Sequence, residues 1–284
     1  MLEHVLIATS RAELNVDLLL DLIHNMPVEQ VTLVHCVESV LPWPQRDRRL
    51  VRRAEKQLNQ EVAEAQERAE VPLAAAVRIG IPAQQILQVA KDRSADTIIM
   101  NAFVGIPWQE FFLGSVSLDI IRYGPTNMLV LHPPAEDQEM IGGLKRQLLE
   151  HMLFPTDFSD FSLSAFDDFI SLADKGMTHV SLLHVQDATR LEPHLMNRLA
   201  EFDATDRERL EDMAERLRQN GVEVDLRIEL GVPEQSIIRL AGELEVSCIA
   251  IGSRGRSPSQ EAVWGSVSER VVRRAEMPVL IIKQ

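Results

Sequence analysis

An apolar run, Cys248 to Ile251, ends in Gly252-Ser253-Arg254-Gly255, and nine residues later comes Gly265-Ser266. The chemistry open to this spacing is anion binding. Glycines let the backbone turn tightly and approach a ligand with no Cβ in the way. The N–H groups at the start of a helix, with the Ser266 hydroxyl as a further donor, offer partial positive charge to phosphates. A strand, a glycine turn and a helix start in succession supply the context for the motif; glycine spacing alone would carry little.

The elements that must position this loop are written into the chain twice. His4 to Ser10 lines up with His151 to Asp157, and Val31 to Cys36 with Val180 to Val185. Arg78 to Pro82 resembles Arg227 to Pro233, and Leu113 to Ser117 matches Trp264 to Ser268. The offset drifts only from 147 (His4 to His151) to 151 (Gly114 to Gly265). Two copies of one domain follow, residues 1–140 and 146–284, joined by a polar linker near Glu136–Lys145 that carries Gly142-Gly143.

Each copy alternates short apolar runs with helical patterns. In the second, strands are expected at Met152–Pro155, Val180–Val185, Val222–Ile228, Ser247–Ile251 and Val279–Lys283. Between them Ser159 caps a helix carrying Phe161, Ala165, Phe169, Leu172 and Ala173. The next helix has Leu210, Met213, Ala214 and Leu217 on one stripe and stops at Asn220-Gly221; Pro233 and Ser266 begin the third and fourth. The first copy repeats the pattern. Strands that are nearly continuous apolar runs separated by helices read as a parallel sheet covered on both faces. The fold class is therefore α/β, two tandem doubly wound parallel five-stranded sheets of order 3-2-1-4-5. That order makes strands one and four neighbours where the winding reverses, and ligands bind there, outside the carboxyl ends of the strands. Pro155-Thr156-Asp157 and Ile251-Gly252 thus meet at one crevice. The last strands, Met128–Leu131 and Val279–Ile282, are apolar sheet edges, and pairing them across a pseudo-two-fold axis would cover both.

Composition sets the broad class. The 284 residues are 45% hydrophobic and 25% charged, enough for a core in each half. A net charge of −14 argues against non-specific nucleic acid or anionic membrane partners. Cys36 and Cys248 lie far apart inside strand-like runs, as buried free thiols of a reducing compartment do. No apolar run reaches the roughly 18–20 residues of a membrane span. The chain enters a strand straight from Met1 without a basic leader, so the expectation is cytoplasmic.

These residues resemble the universal stress protein family in its tandem form. In the second copy the likeness rests on Thr156-Asp157-Phe158-Ser159 after strand one, Leu183-His184-Val185 in strand two, and the G-x-x-G-x9-G-S run of Gly252, Gly255, Gly265 and Ser266. The resemblance implies a Rossmann-like fold of the adenine-nucleotide alpha-hydrolase type. It also implies binding of ATP or another adenine nucleotide with magnesium or manganese, dimerisation through strand five, and a part in stress responses. By the same likeness Asp157 holds the adenosine portion, as a carboxylate that accepts from ribose hydroxyls or an amino group can. Val185 meets the adenine; Gly252, Gly255, Gly265, Ser266 and Ser268 take the ribose and phosphate side. Pro155, Thr156, Ile251 and Val267 line the pocket between them.

The first copy departs from the pattern. Ser10 stands in place of the aspartate, Asn101 in place of the first glycine, Gly105 is one position late, and Cys36 replaces Val185. Gly114-Ser115 survives, but Ile106-Pro107-Trp108 and Phe111-Phe112 make the loop bulky. One nucleotide site per chain is expected, with the first half empty of ATP or binding something smaller or more apolar. Arg254 and Arg256 could reach phosphates, but loop arginines are usually solvated. His184 reads as a satisfied core histidine, as does its counterpart His35. Glu269 is placed to favour the helix dipole or to meet a metal. Arg46, Arg48, Arg49, Arg52 and Arg53 resemble a nucleic-acid patch, yet Leu50, Ala54, Leu58 and Val62 mark an amphipathic helix instead. Trp43, between two prolines, reads as a loop anchor. The competing functions are a nucleotide-responsive regulatory module, a slow ATPase or self-phosphorylating protein, and a docking protein that binds an apolar metabolite through its first half.

Overall fold

The β-branched and leucine runs become parallel strands, and the amphipathic stretches between them become the helices that cover the sheets. The structure is a computed structural model; it describes residues 1–9, 15–38, 44–100, 114–132, 144, 146–189, 199–255 and 264–284, with the backbone alone for 44–48 and 199–200. Two compact units divide at Lys145 and Arg146. The first unit holds β1 (His4–Thr9), α1 (Val16–His24), β2 (Gln30–Glu38), α2 (Pro44–Gln66), β3 (Leu73–Gly80), α3 (Pro82–Asp92), β4 (Thr97–Met100), α4 (Ser115–Tyr123) and β5 (Asn127–Val130). The second holds β6 (His151–Thr156), α5 (Asp160–Ile170), β7 (His179–Asp187), α6 (Leu199–Arg218), β8 (Glu223–Gly231), α7 (Pro233–Glu243), β9 (Cys248–Gly252), α8 (Ser266–Arg274) and β10 (Val279–Ile282).

Within the first unit the strands run β3-β2-β1-β4-β5, all parallel. Within the second they run β8-β7-β6-β9-β10, again parallel. Both are the 3-2-1-4-5 order expected from the alternation. The duplication extends to single hydrogen bonds. His35 Nδ1–H donates to the Thr9 carbonyl at 3.3 Å, and His184 Nδ1–H to the Thr156 carbonyl at 2.8 Å. His4 Nε2 meets the Thr32 hydroxyl at 2.8 Å, and His151 Nε2 the Ser181 hydroxyl at 3.0 Å. A bond that recurs where the loop motif is degenerate ties strand one to strand two, which is the structural reading of both histidines.

The structure differs from the periodicity in several places, one of them Phe161, which lies exposed on the solvent side of α5. The helix after Ser159 ends at Ile170, so Leu172 and Ala173 fall outside it, and a short 3-10 turn, Ala173–Lys175, takes over. Gly176 at φ 93° finishes that turn in the left-handed region. The third strand of the second copy begins at Glu223, and its burial alternates over its first six residues because successive side chains point to opposite faces of the sheet and α6 packs chiefly on one of them. On α2 the buried stripe is Ala54, Leu58, Val62 and Ala65, while Leu50 is exposed. Steps of four residues advance 400°, so a strict four-residue spacing walks off the face by 40° each time, and Leu50 lies beyond its margin. The linker, apart from the buried Leu144, and Trp43 lie outside the described residues.

At the amino ends of β6 and β7, His151 and His179 stack with centroids 3.9 Å apart and planes 12° apart. Burial pushes the His151 imidazole below its ordinary value of 6.5, and the neighbouring His179 and Arg146 push the same way against Asp225 and Glu150. The unfolded chain therefore takes up this proton first as pH falls, so the contribution is intact above about pH 6.5 and lost below it. A His151→Gln variant should lose less stability than the parent between pH 7.5 and 5.5, read as the shift in urea midpoint. Parallel losses in the two proteins would contradict this.

Candidate functional site

The turn after β6 is held from several sides. Thr156 Oγ1 accepts from the Phe158 N–H at 3.0 Å and from the Ser162 hydroxyl at 2.9 Å. Asp157 Oδ1 accepts from the Ser159 N–H at 3.0 Å and the Ser159 hydroxyl at 2.6 Å. Ser159 in turn caps α5, its hydroxyl accepting from the Ser162 N–H at 3.2 Å. Between them Phe158 sits at φ 58°, a conformation costing a bulky L-residue about 1–2 kcal/mol. Its ring packs 4.5 Å from the His184 ring and under the Arg209 guanidinium at 5.3 Å, contacts that offset the strain. The result is a carboxylate whose one oxygen is fixed by its own turn.

Beside it runs the glycine loop. The Ser253 N–H donates to the Ile282 carbonyl and the Gly265 N–H to the Ser253 carbonyl, each at 2.9 Å, which pins both ends of the loop at the sheet. The glycines differ in what they make room for. A Cβ on Gly255 would lie 2.7 Å from Asp157 Oδ2, so this glycine lets the loop lie against the carboxylate. A Cβ on Gly252 would lie 3.2 Å from the Ala165 Cβ, so here the need is close packing of β9 on α5. On Gly265 it would meet nothing nearer than 3.5 Å. Gly265 is the N-cap of α8 and provides no side-chain cap, in contrast to Ser159 on α5. The first N–H groups of α8 have no partner within their helix, and no side chain among the described residues caps them.

These pieces border one cavity of about 670 Å³ at the carboxyl ends of β6, β7 and β9, within the usual range for small-molecule pockets. Pro155, Thr156, Asp157 and Val185 lie on its wall. So do Ile251, Gly252, Gly255, Gly265, Ser266, Val267 and Ser268. All eleven residues singled out in the sequence are brought together. Their parts are unequal, however. The buried Ser268 hydroxyl donates to the Gly252 carbonyl at 2.8 Å, which staples helix to strand, whereas Ser266 is exposed at the helix start.

Arg254 reaches the cavity wall, its guanidinium 5.5 Å from the Phe161 ring. Burial pushes the nearby Lys283 amine down to about 8, and the Arg254 charge adds to the effect. Glu269 turns away from the cavity, accepting from Arg273 Nε at 3.0 Å on its own helix. His184 is buried, with Nε2 3.5 Å from Asp206 Oδ2. Cys248 is sealed in β9 with its thiol pushed up to about 12, so it is no nucleophile near neutral pH. Among the described residues no three His, Cys, Asp or Glu side chains converge to hold a metal.

Sequence reading missed the wall given by α6: Phe202, Thr205, Asp206 and Arg209 border the cavity, with Gln186 of β7 beneath them. Their spacing of three and four residues is a legible signal, a second face beside the Leu210–Leu217 stripe. In the first unit Gly114 caps α4 without a side-chain bond, as Gly265 does on α8. Ser10, Asn101, Gly105, Arg256 and the bulky loop residues Ile106 to Phe112 lie outside the described residues.

The fold and site define a tandem α/β protein with a cavity of small-molecule size in its second repeat. The chain matches the Universal stress protein family over residues 1–132 and again over 149–283, and it belongs to that family. It is 26% identical over 159 residues to universal stress protein MJ0577 of Methanocaldococcus jannaschii, covering 48% of this chain and 96% of that protein. It is 30% identical over 148 residues to universal stress protein YxiE of Bacillus subtilis, covering 48% of this chain and all of that protein. Over 99% of its length the chain resembles the crystal structure of a universal stress protein from Archaeoglobus fulgidus, with TM-score 0.73, 21% identity and 98% of that chain covered. At this identity the likeness concerns the fold. No helix among the described residues is long and apolar enough to cross a membrane.

Proposed function

We propose that the second unit binds an adenine nucleotide, ATP with magnesium or manganese on its phosphates, and that the chain works as a nucleotide-responsive module in stress responses. The observation that carries the reading is the pairing, across one cavity, of a fixed carboxylate with a helix start that no side chain among the described residues caps. Asp157 is suited to ribose hydroxyls, which donate; the first turn of α8 and Arg254 are suited to phosphates, which accept. Val185, near the carboxyl end of β7, borders the cavity and is suited to meet the base, and Pro155, Thr156, Ile251 and Val267 give the rest of the lining.

Binding to the folded state alone stabilises it by RT ln(1 + [L]/Kd), about 2.7 kcal/mol when the ligand is at a hundred times Kd. The full chain with millimolar ATP and magnesium should therefore melt several degrees higher than without. Mass spectrometry of the chain released from purification should show any nucleotide it carries. A melting temperature unmoved by millimolar ATP, magnesium and manganese would end this reading.

A further inference from the structure

Gln186 lies near the carboxyl end of β7, is only 8% exposed and borders the cavity. Its amide nitrogen donates to Asp203 Oδ1 at 3.0 Å and to Asp206 Oδ2 at 2.9 Å, both on α6. An ionised carboxylate accepts only, so these two partners decide which way round the amide lies. Both amide protons are then used. What remains is Oε1, an acceptor with no hydrogen-bond partner among the described residues. It is also not one of the fully enclosed unpartnered atoms, so it borders open space. A nearly buried acceptor without a donor costs free energy, and a ligand that supplies the donor recovers it. The two carboxylates behind the amide also polarise it, which strengthens Oε1 as an acceptor.

We propose that Gln186 Oε1 reads an exocyclic amino group on the base of the bound nucleotide, so that the pocket selects 6-aminopurines. The inference rests on the nucleotide reading of the same cavity. An amine at that position donates to Oε1. A hydrogen there leaves the acceptor unmet, and a carbonyl oxygen would set lone pair against lone pair. The device is a polarity lock: the carboxylates on α6 prevent the amide from turning to present its N–H groups instead.

The test is titration calorimetry on the full chain with magnesium and two ligands: ATP, and the triphosphate of the purine riboside that has hydrogen in place of the amine. The parent protein should bind ATP at least about tenfold tighter, the usual consequence of leaving a buried polar group unpaired. In Gln186→Met the preference should shrink to about twofold or less, through weaker ATP binding, a coupling that the two ligands and two proteins isolate as a cycle. Asp203→Asn, which lets the amide turn, should shrink it partway; this variant and the parent suffice if Gln186→Met melts too low to use. Equal affinity of the parent for both triphosphates overturns the assignment and leaves the nucleotide reading standing. A tenfold preference kept in folded Gln186→Met does the same. A parent that binds neither triphosphate ends both.

Discussion

In Gly255→Ala the rise in melting temperature that ATP and magnesium give the parent chain should all but vanish, while the unliganded melting temperature moves by about 2 °C or less. The added methyl would lie 2.7 Å from Asp157 Oδ2, closer than side-chain carbons come to any atom, so something must shift. The carboxylate is not free to swing, because Oδ1 is held by both the N–H and the hydroxyl of Ser159. The loop then moves away from β6, or Asp157 gives up its turn; either change spoils the wall proposed to take the ribose. The cost to the empty protein is small because Gly255 is only half-buried. Pairing the substitution with Asp157→Ala should add little to the loss, since both act on one contact. A ligand-induced shift that survives intact in Gly255→Ala would show that the nucleotide, if it binds, does not use this wall.

What could be read from the residues alone is unevenly distributed, for a physical reason. The Gly252 to Ser268 loop and the Thr156 to Ser159 turn were legible because their chemistry is local. Each is a strand end, a turn and a helix cap within a few residues, and topology alone brings the two together. The contribution of α6 was not legible in the same way. Phe202, Asp206 and Arg209 reach the cavity only because the helix is rotated to bury Leu210, Met213, Ala214 and Leu217, and that rotation depends on packing against β7 and β8. Ser268 and Glu269 show a finer limit. Their positions near the helix start suit an anion and a metal equally well, yet one hydroxyl turns back to the Gly252 carbonyl and the carboxylate turns to Arg273. Side-chain direction is settled by the nearest competing partner, which spacing does not reveal. The histidines were legible for the opposite reason: a residue that recurs in the repeat with the degenerate loop is more economically explained by the fold than by the site.

The largest effect on stability is expected at Phe154, in the middle of β6. Its ring lies 5.3 Å from Phe166 and 4.8 Å from Phe169, and all three side chains are fully buried between the strand and α5. Aromatic contacts of this kind add to the burial of the rings themselves. Phe154→Ala removes the central member and leaves a void that the strand cannot close, because its backbone is pinned by β7 and β9 on either side. Losses of about 3–5 kcal/mol are usual for such truncations. Phe161→Ala, on the solvent side of the same helix, should cost less than about 1 kcal/mol, since the ring is already exposed. Native-state hydrogen exchange gives a local readout: amides of β6 and β7 should exchange about two to three orders of magnitude faster in Phe154→Ala and nearly unchanged in Phe161→Ala. Because Thr156 ends this strand and Asp157 follows it, and Ser159 caps and Ser162 belongs to the helix it packs against, the same variant should bind nucleotide more weakly without having lost a single cavity residue. Protection of β6 equal to the parent's would mean that the aromatic cluster does not anchor the turn, and that the hydrogen bonds of Thr156 and Asp157 hold it alone.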